Sequence, residues 1–183
     1  MEEKLAFLDE HYLSHFDYLD VDSVIQEQKA FGACRDVTLE YPVAENEGEE
    51  DNTYLSYNMV VGNAADSQMA MAFEVLDYAL LSAPGAPLKQ ALLDVKAGKD
   101  VYGSYDDGIF QPYCTVIAKG SNPERKEEFV SVIRQVLGDI VKNGIDKKAV
   151  EAGINYFEFR YREADFSSYP KGLMYSLDIL GDW

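Results

Sequence analysis

Apolar residues recur along this chain in two rhythms, one of period two and one near 3.6 residues. Leu5, Leu8, Tyr12 and His15 fall at helical spacing and predict an opening helix over 3–15. The next stretch, FDYLDVDSVIQEQKAFG, mixes both rhythms and reads as a linker. DVTLEYPV (36–43) and TYLSYNMVVG (53–62) alternate as strands, and ENEGEEDN (45–52) between them is too polar to bury. Together they predict an antiparallel pair. Asp66 stands where it would cap a helix over DSQMAMAFEVLDYALLS, with Met69, Phe73, Leu76 and Leu80 as its apolar stripe.

The prolines and glycine of SAPGAP break the chain before a shorter helix, LKQALLDVKAG. KDVYGSYDDG (99–108) and QPYCTVIAKG (111–120) are two further strands, with Gly103 inside the first where another backbone comes close. SNPE (121–124) resembles a capping-box start with proline in the first turn. Phe129, Val132, Ile133, Val136, Leu137, Ile140 and Val141 then give the clearest helical stripe of the chain. NGID supplies a glycine stop at Gly144 and a new cap at Asp146. A helix follows with Val150, Ile154 and Phe157 on one side, and SSYPKGLMYSLDILGDW predicts a last one.

After the opening helix the order is β-β-α-α-β-β-α-α, then a final helix. That order predicts an α+β fold, a mostly antiparallel sheet with helices layered on one face. Residues 1–34 are expected to form an N-terminal helix and linker, and 35–183 one domain, cut short at its C-terminal helix. The start at MEEKLAF, already within a helix, and the stop after LGDW are those expected of an excised piece.

Composition narrows the partners. At 183 residues the chain can bury roughly 70% of its unfolded surface without a metal or disulfide staple. Thirty-three acidic against 16 basic residues give a formal net charge of −17. Such a surface repels phosphate backbones and anionic lipids, so neither nucleic acid nor membrane is an expected partner, and basic peptides are favoured over acidic ones. Cys34 and Cys114 have no metal spacing and read as two reduced thiols, with a disulfide between them as the other reading. No targeting segment or membrane-length apolar run is seen. A cytoplasmic, bacterial-type location is expected, with an organelle matrix as the other reading.

Candidate chemistry is sparse. EHYLSH (10–15) holds both histidines, His11 and His15, four apart as in zinc peptidases. A catalytic zinc needs three protein ligands and a nearby carboxylate base, and HxxEH would require glutamate where Ser14 stands. Asp106 and Asp107, beside Gly108, read as a turn. No nucleophile elbow, phosphate loop or dinucleotide fingerprint occurs.

TYLSYNMVVGN, YALLSAPGAPLKQALLDVKAGKDVYGSYDDGIFQPYCTVIAKG and NYFEFRYREADFSSYPKGL resemble the pitrilysin–insulinase zinc metallopeptidases, in their presequence-protease (falcilysin-like) branch. The resemblance runs from about Leu5 to Trp183. It implies the second, non-catalytic domain of a multidomain peptidase whose first domain carries HxxEH and zinc. This chain would then hold no zinc and no catalytic residue, and EHYLSH would not be the motif. The implied partners are other domains of the same polypeptide and unstructured peptide substrates. The Arg/Tyr pair of the family's last domain has no arginine to match it in FQPYCTVIAKG, and Arg160 and Arg162 read as surface or ion-pair residues.

The resemblance also implies a substrate exosite, made of the loop Ser82, Ala83, Pro84, Gly85 and the edge strand Val101, Tyr102, Gly103, Ser104, Tyr105. An exposed strand edge pairs with any extended peptide through backbone hydrogen bonds. The alternatives are a free-standing peptide-binding module and an assembly subunit, each with the peptidase fold and no activity.

Overall fold

A computed structural model describes residues 2–44, 46, 48–163 and 166–182. Glu45 and Glu47 of the acidic loop, Ala164 and Asp165 after the fifth helix, and Trp183 lie outside the described residues. Helix α1 spans Glu2–His11 and buries none of its side chains. Strand β1 is Thr53–Val60, helix α2 Ser67–Asp77, helix α3 Pro87–Asp94, strand β2 Asp100–Asp106 and strand β3 Tyr113–Ser121. Helices α4 (Lys126–Asn143), α5 (Lys147–Glu163) and α6 (Lys171–Asp182) complete the order. The sheet is antiparallel in the order β1-β3-β2, which among the described residues leaves one side of β1 and one side of β2 open.

One hydrogen bond sets the phase of the ladder. The Val61 N–H donates to Pro112 O at 2.8 Å. Bonded pairs recur at every second residue of an antiparallel ladder. Leu55, Tyr57 and Met59 therefore bond to Ala118, Val116 and Cys114 of β3. The intervening β3 residues turn the other way, to Asp100, Tyr102 and Ser104 of β2. It follows that Tyr54, Ser56, Asn58 and Val60 face the open edge of β1, and Val101, Gly103 and Tyr105 that of β2.

The same alternation sorts side chains between faces. Leu55, Val101, Val116 and Ala118 are buried on one face, where they meet Leu88 and Leu92 of α3 and Phe129 and Ile133 of α4. The helices thus lie on one face of the sheet, and the α+β layering read from the sequence holds. The other face carries Ser56, Asn58 and Thr115, with the Thr115 hydroxyl donating to Asn58 at 2.9 Å.

Several local expectations are corrected. Residues 36–43 form no strand; Asp36 forms an ion pair with Lys126 and the Tyr41 hydroxyl donates to Asn52 O, just before β1. The opening helix stops at His11, because Tyr12 leaves helical geometry (φ −133°) and 13–15 form a separate 3₁₀ turn. With no face buried, nothing tertiary extends that helix. SNPE makes no capping box. Ser121 ends β3 and donates to Ala97 O, while Asn122 accepts from Asp51 N at 2.8 Å.

The stripe on the second helix is also displaced. Its fully buried residues are Val75, Ala79 and Leu81; of the expected stripe Leu80 packs half-buried against the core, Phe73 and Leu76 are half-buried, and Met69 is exposed. Residues Tyr78–Ser82 form a π-helical turn, whose extra residue rotates the face presented to the sheet. Asp66 does cap α2, accepting from Met69 N at 3.0 Å, and Asp146 accepts from Lys148 N at 3.0 Å before α5. Asp106 accepts from Gly108 N at 3.1 Å, the turn that Asp106-Asp107-Gly108 predicted. Arg162 pairs with Glu158 at 2.5 Å.

Candidate functional site

The π-helical turn delivers the chain straight into Ser82–Gly85, where Gly85 takes a left-handed φ of 73°. That conformation favours glycine, so the residue has a structural reason to be there whatever else it does. Pro87 then starts α3 at a position that needs no N–H. Loop and helix together enclose an open cleft of about 260 Å³ lined by Ser82, Ala83, Pro84, Gly85, Lys89 and Leu93, among others. Lys89 links the cleft to β2, because its ammonium lies 3.4 Å from Asp100 at the start of that strand.

The second expected group, Val101–Tyr105, is the middle of β2 and lies on the open edge of the sheet. Its residues divide by parity. Val101 is buried and Gly103 half-buried on the helical face, while Tyr102 and Ser104 are exposed on the other. Backbone groups of Val101, Gly103 and Tyr105 turn to the open edge, and the Val101 N–H is held by its neighbour Asp100 at 2.8 Å. Tyr105 stacks on Phe73 of α2 with centroids 5.7 Å apart. The structure therefore brings the two groups to one side of the fold, joined by Lys89 and Asp100.

Gly103 has a packing role as well. A Cβ there would lie 2.2 Å from Leu81 Cδ1 and 2.5 Å from Asp77 Oδ1, so only glycine lets the π-helical turn close on the strand. Asp77 itself escaped sequence reasoning. The available signal was a carboxylate in phase with Phe73 and Leu81, four residues to either side, on an otherwise apolar line. Burial pushes Asp77 up to about 6. Burial, and after it the charge of Asp77, pushes the Cys114 thiol up to about 11. Glu74, raised by burial, accepts from the Tyr161 hydroxyl of α5 at 2.9 Å.

The histidines do not fit a zinc. His11 ends α1 with its ring 4.3 Å from that of Phe7, and His15 lies in the separate 3₁₀ turn, so they share no helical face. Among the described residues no group of three or more His, Cys, Asp or Glu is placed to hold a metal ion. No helix of the described residues is long and apolar enough to cross a membrane.

The domain is thus an antiparallel sheet covered on one face by paired helices. The chain belongs to the peptidase M16 inactive-domain family, whose family model matches residues 3–157. It is 42% identical over 182 residues to Protein HypA of Clostridium perfringens, covering 100% of this chain and 19% of that protein. It is 28% identical over 177 residues to presequence protease 1, chloroplastic/mitochondrial, of Arabidopsis thaliana, covering 91% of this chain and 16% of the relative. The mitochondrial presequence protease of Xenopus laevis is 23% identical over 172 residues. The chain thus spans about a fifth or less of the length of these relatives.

Among solved structures, the inactive peptidase domain from Bordetella parapertussis superposes with a TM-score of 0.59 at 13% identity, covering 69% of each chain. A Bordetella pertussis protein gives 0.58 at 14% identity. Both show the fold. The resemblance to the pitrilysin–insulinase peptidases, in a non-catalytic domain, is therefore established.

Proposed function

We propose that this domain is a chamber-wall element of a peptide-degrading zinc metalloendopeptidase, and that the β2 edge with the Ser82–Gly85 cleft is its exosite. The observation that carries this reading is the open edge itself. Val101, Gly103 and Tyr105 turn their backbone groups outward beside a cleft that Lys89 and Asp100 tie to the strand. Backbone pairing there accepts an extended peptide of any sequence, which suits an enzyme of broad specificity. The presequence proteases among the relatives support the peptidase assignment. Zinc and the residues that act on the scissile bond belong to other domains of the polypeptide, which are also this domain's packing partners. A net charge of −17 favours basic, unstructured peptides.

The test uses the whole polypeptide that carries these residues. Cleavage of an unstructured basic peptide is followed with and without a zinc chelator. The same peptide is then assayed with alternate backbone amides N-methylated, remote from the cut. Chelator-sensitive cleavage, with KM raised about tenfold and kcat unchanged on methylation, is expected for the loss of one or two backbone hydrogen bonds. An unchanged KM removes the exosite. Absence of cleavage removes the peptidase reading and leaves a binding module.

A further inference from the structure

Residues 36–43 alternate as a strand, yet Val37 and Leu39 are 72% and 84% exposed and Tyr41 and Val43 are also on the surface. Val37 and Leu39 thus bury little in their present positions, while Tyr41 is already half covered. Next to it, β1 has an unpaired edge formed by the N–H and C=O groups of Tyr54, Ser56, Asn58 and Val60. Unpaired edges are templates for another strand. On the helical face beside that edge, Lys126, Glu127, Val130, Ser131 and Arg134 of α4 line an open groove of about 370 Å³. The Arg134 guanidinium lies 6.0 Å from the centre of the Tyr57 ring, which places the groove over β1.

We propose that the open edge of β1 and this α4 groove are the seat of the chain's own residues 36–41, which close onto them as a fourth strand. Two features already hold the segment alongside: the ion pair of Asp36 with Lys126, and Tyr41, whose hydroxyl donates to Asn52 O and whose ring meets Tyr54 edge-on at 5.8 Å. They turn the segment back towards the start of β1, the direction an antiparallel partner needs.

Chemistry selects the register. Side chains of Leu55, Tyr57 and Met59 face the helices, so Val37, Leu39 and Tyr41 join that face only when odd residues oppose odd ones. A one-residue slip would place all three on the polar face instead. Pro42 has no N–H, so it cannot oppose Tyr54, which needs a donor on this edge. Pairing Leu39 with Leu55 and Val37 with Tyr57 meets both conditions and sets Pro42 opposite Asn52, outside β1. Thr38 and Glu40 then bond to Ser56 and Tyr54. Asp36 moves opposite Asn58, which draws it away from Lys126, so their ion pair marks the open position of the strap. With β1 capped in this way, β2 is the edge left for a foreign strand, a consequence that rests on the exosite reading above.

The test needs no peptide, so it stands or falls separately from the exosite. In the full chain carrying Cys34→Ser and Cys114→Ala, the pair Val37→Cys with Tyr57→Cys is compared under mild oxidation with Leu39→Cys and Tyr57→Cys. A directly opposed, non-hydrogen-bonded pair has the Cα separation that a disulfide spans, so the first should crosslink about tenfold faster. Hydrogen exchange at Thr38 and Glu40 is measured in the wild type and in Asp36→Asn. Exchange slower than in a free peptide, and slower still once the ion pair is gone, supports the closing strap. Faster crosslinking of the 39–57 pair overturns the register. Free-peptide exchange at both amides in both proteins overturns the proposal.

Discussion

Asp77 shows how one side chain records the packing around it. It is half-buried on α2, where a methyl on Gly103 would press against its carboxylate, and burial raises it to about 6. The unfolded chain ionises it nearer 3.8, so the folded state holds this proton more tightly. Stability should therefore fall as pH rises from about 4 to 6 and stay level above, the usual sign for a carboxyl raised by desolvation. Allowing for its partial exposure, the loss is about 1 kcal/mol. Asp77→Asn should abolish this slope and be the more stable protein at pH 7, read from urea midpoints at pH 4, 6 and 7. Nothing in helical periodicity marks Asp77 as buried, because Gly103, the strand residue beside it, lies 26 residues further along.

Helix α4 illustrates how far an amphipathic stripe reports burial. Its seven apolar positions were legible, yet they are not equivalent. Phe129 and Ile133 are in the core, Val132, Val136 and Leu137 pack at its margin, and Val141 is 87% exposed. In the last turn Ile140 is half-buried while Val141 points to the surface. Ile133→Ala should cost about 3 kcal/mol by leaving a cavity. Val141→Ala should change stability by less than about 0.5 kcal/mol. Equal losses in the two urea curves would show that the C-terminal turn is packed after all. On α2 the stripe was legible only in part, since the π-helical turn at Tyr78–Ser82 shifts the phase and no propensity announces it.

Across the whole molecule, two surface properties oppose one another. Leu173, Leu177, Ile179 and Leu180 of α6 are all exposed, as are Ile154 and Phe159 of α5. Apolar surface of this extent favours association. A net charge of −17 opposes it, and that repulsion is screened by salt, the Debye length falling from about 10 Å at 0.1 M to about 3 Å at 1 M. The isolated chain should therefore run near 20.6 kDa at low salt and at higher mass in 1 M salt, by sedimentation velocity. Leu177→Glu with Leu180→Glu should keep it at the lower mass in both. Salt-independent mass in the unsubstituted chain would count against this account.

The sequence by itself determined which residues alternate and which recur at 3.6, and hence the α+β class, the caps at Asp66 and Asp146, the turn at Gly108 and the family. Those features depend on neighbours a few residues away, which the chain displays directly. Tertiary structure alone decided that β3 lies in the middle of the sheet, that β2 presents Val101, Gly103 and Tyr105 to its open edge, and that Asp77 and Leu81 meet Gly103. It also decided that 36–43, a strand by pattern, forms no strand. Period-two alternation says that a segment suits a sheet; which edge takes it, and whether it is docked, depends on groups contributed by distant parts of the chain.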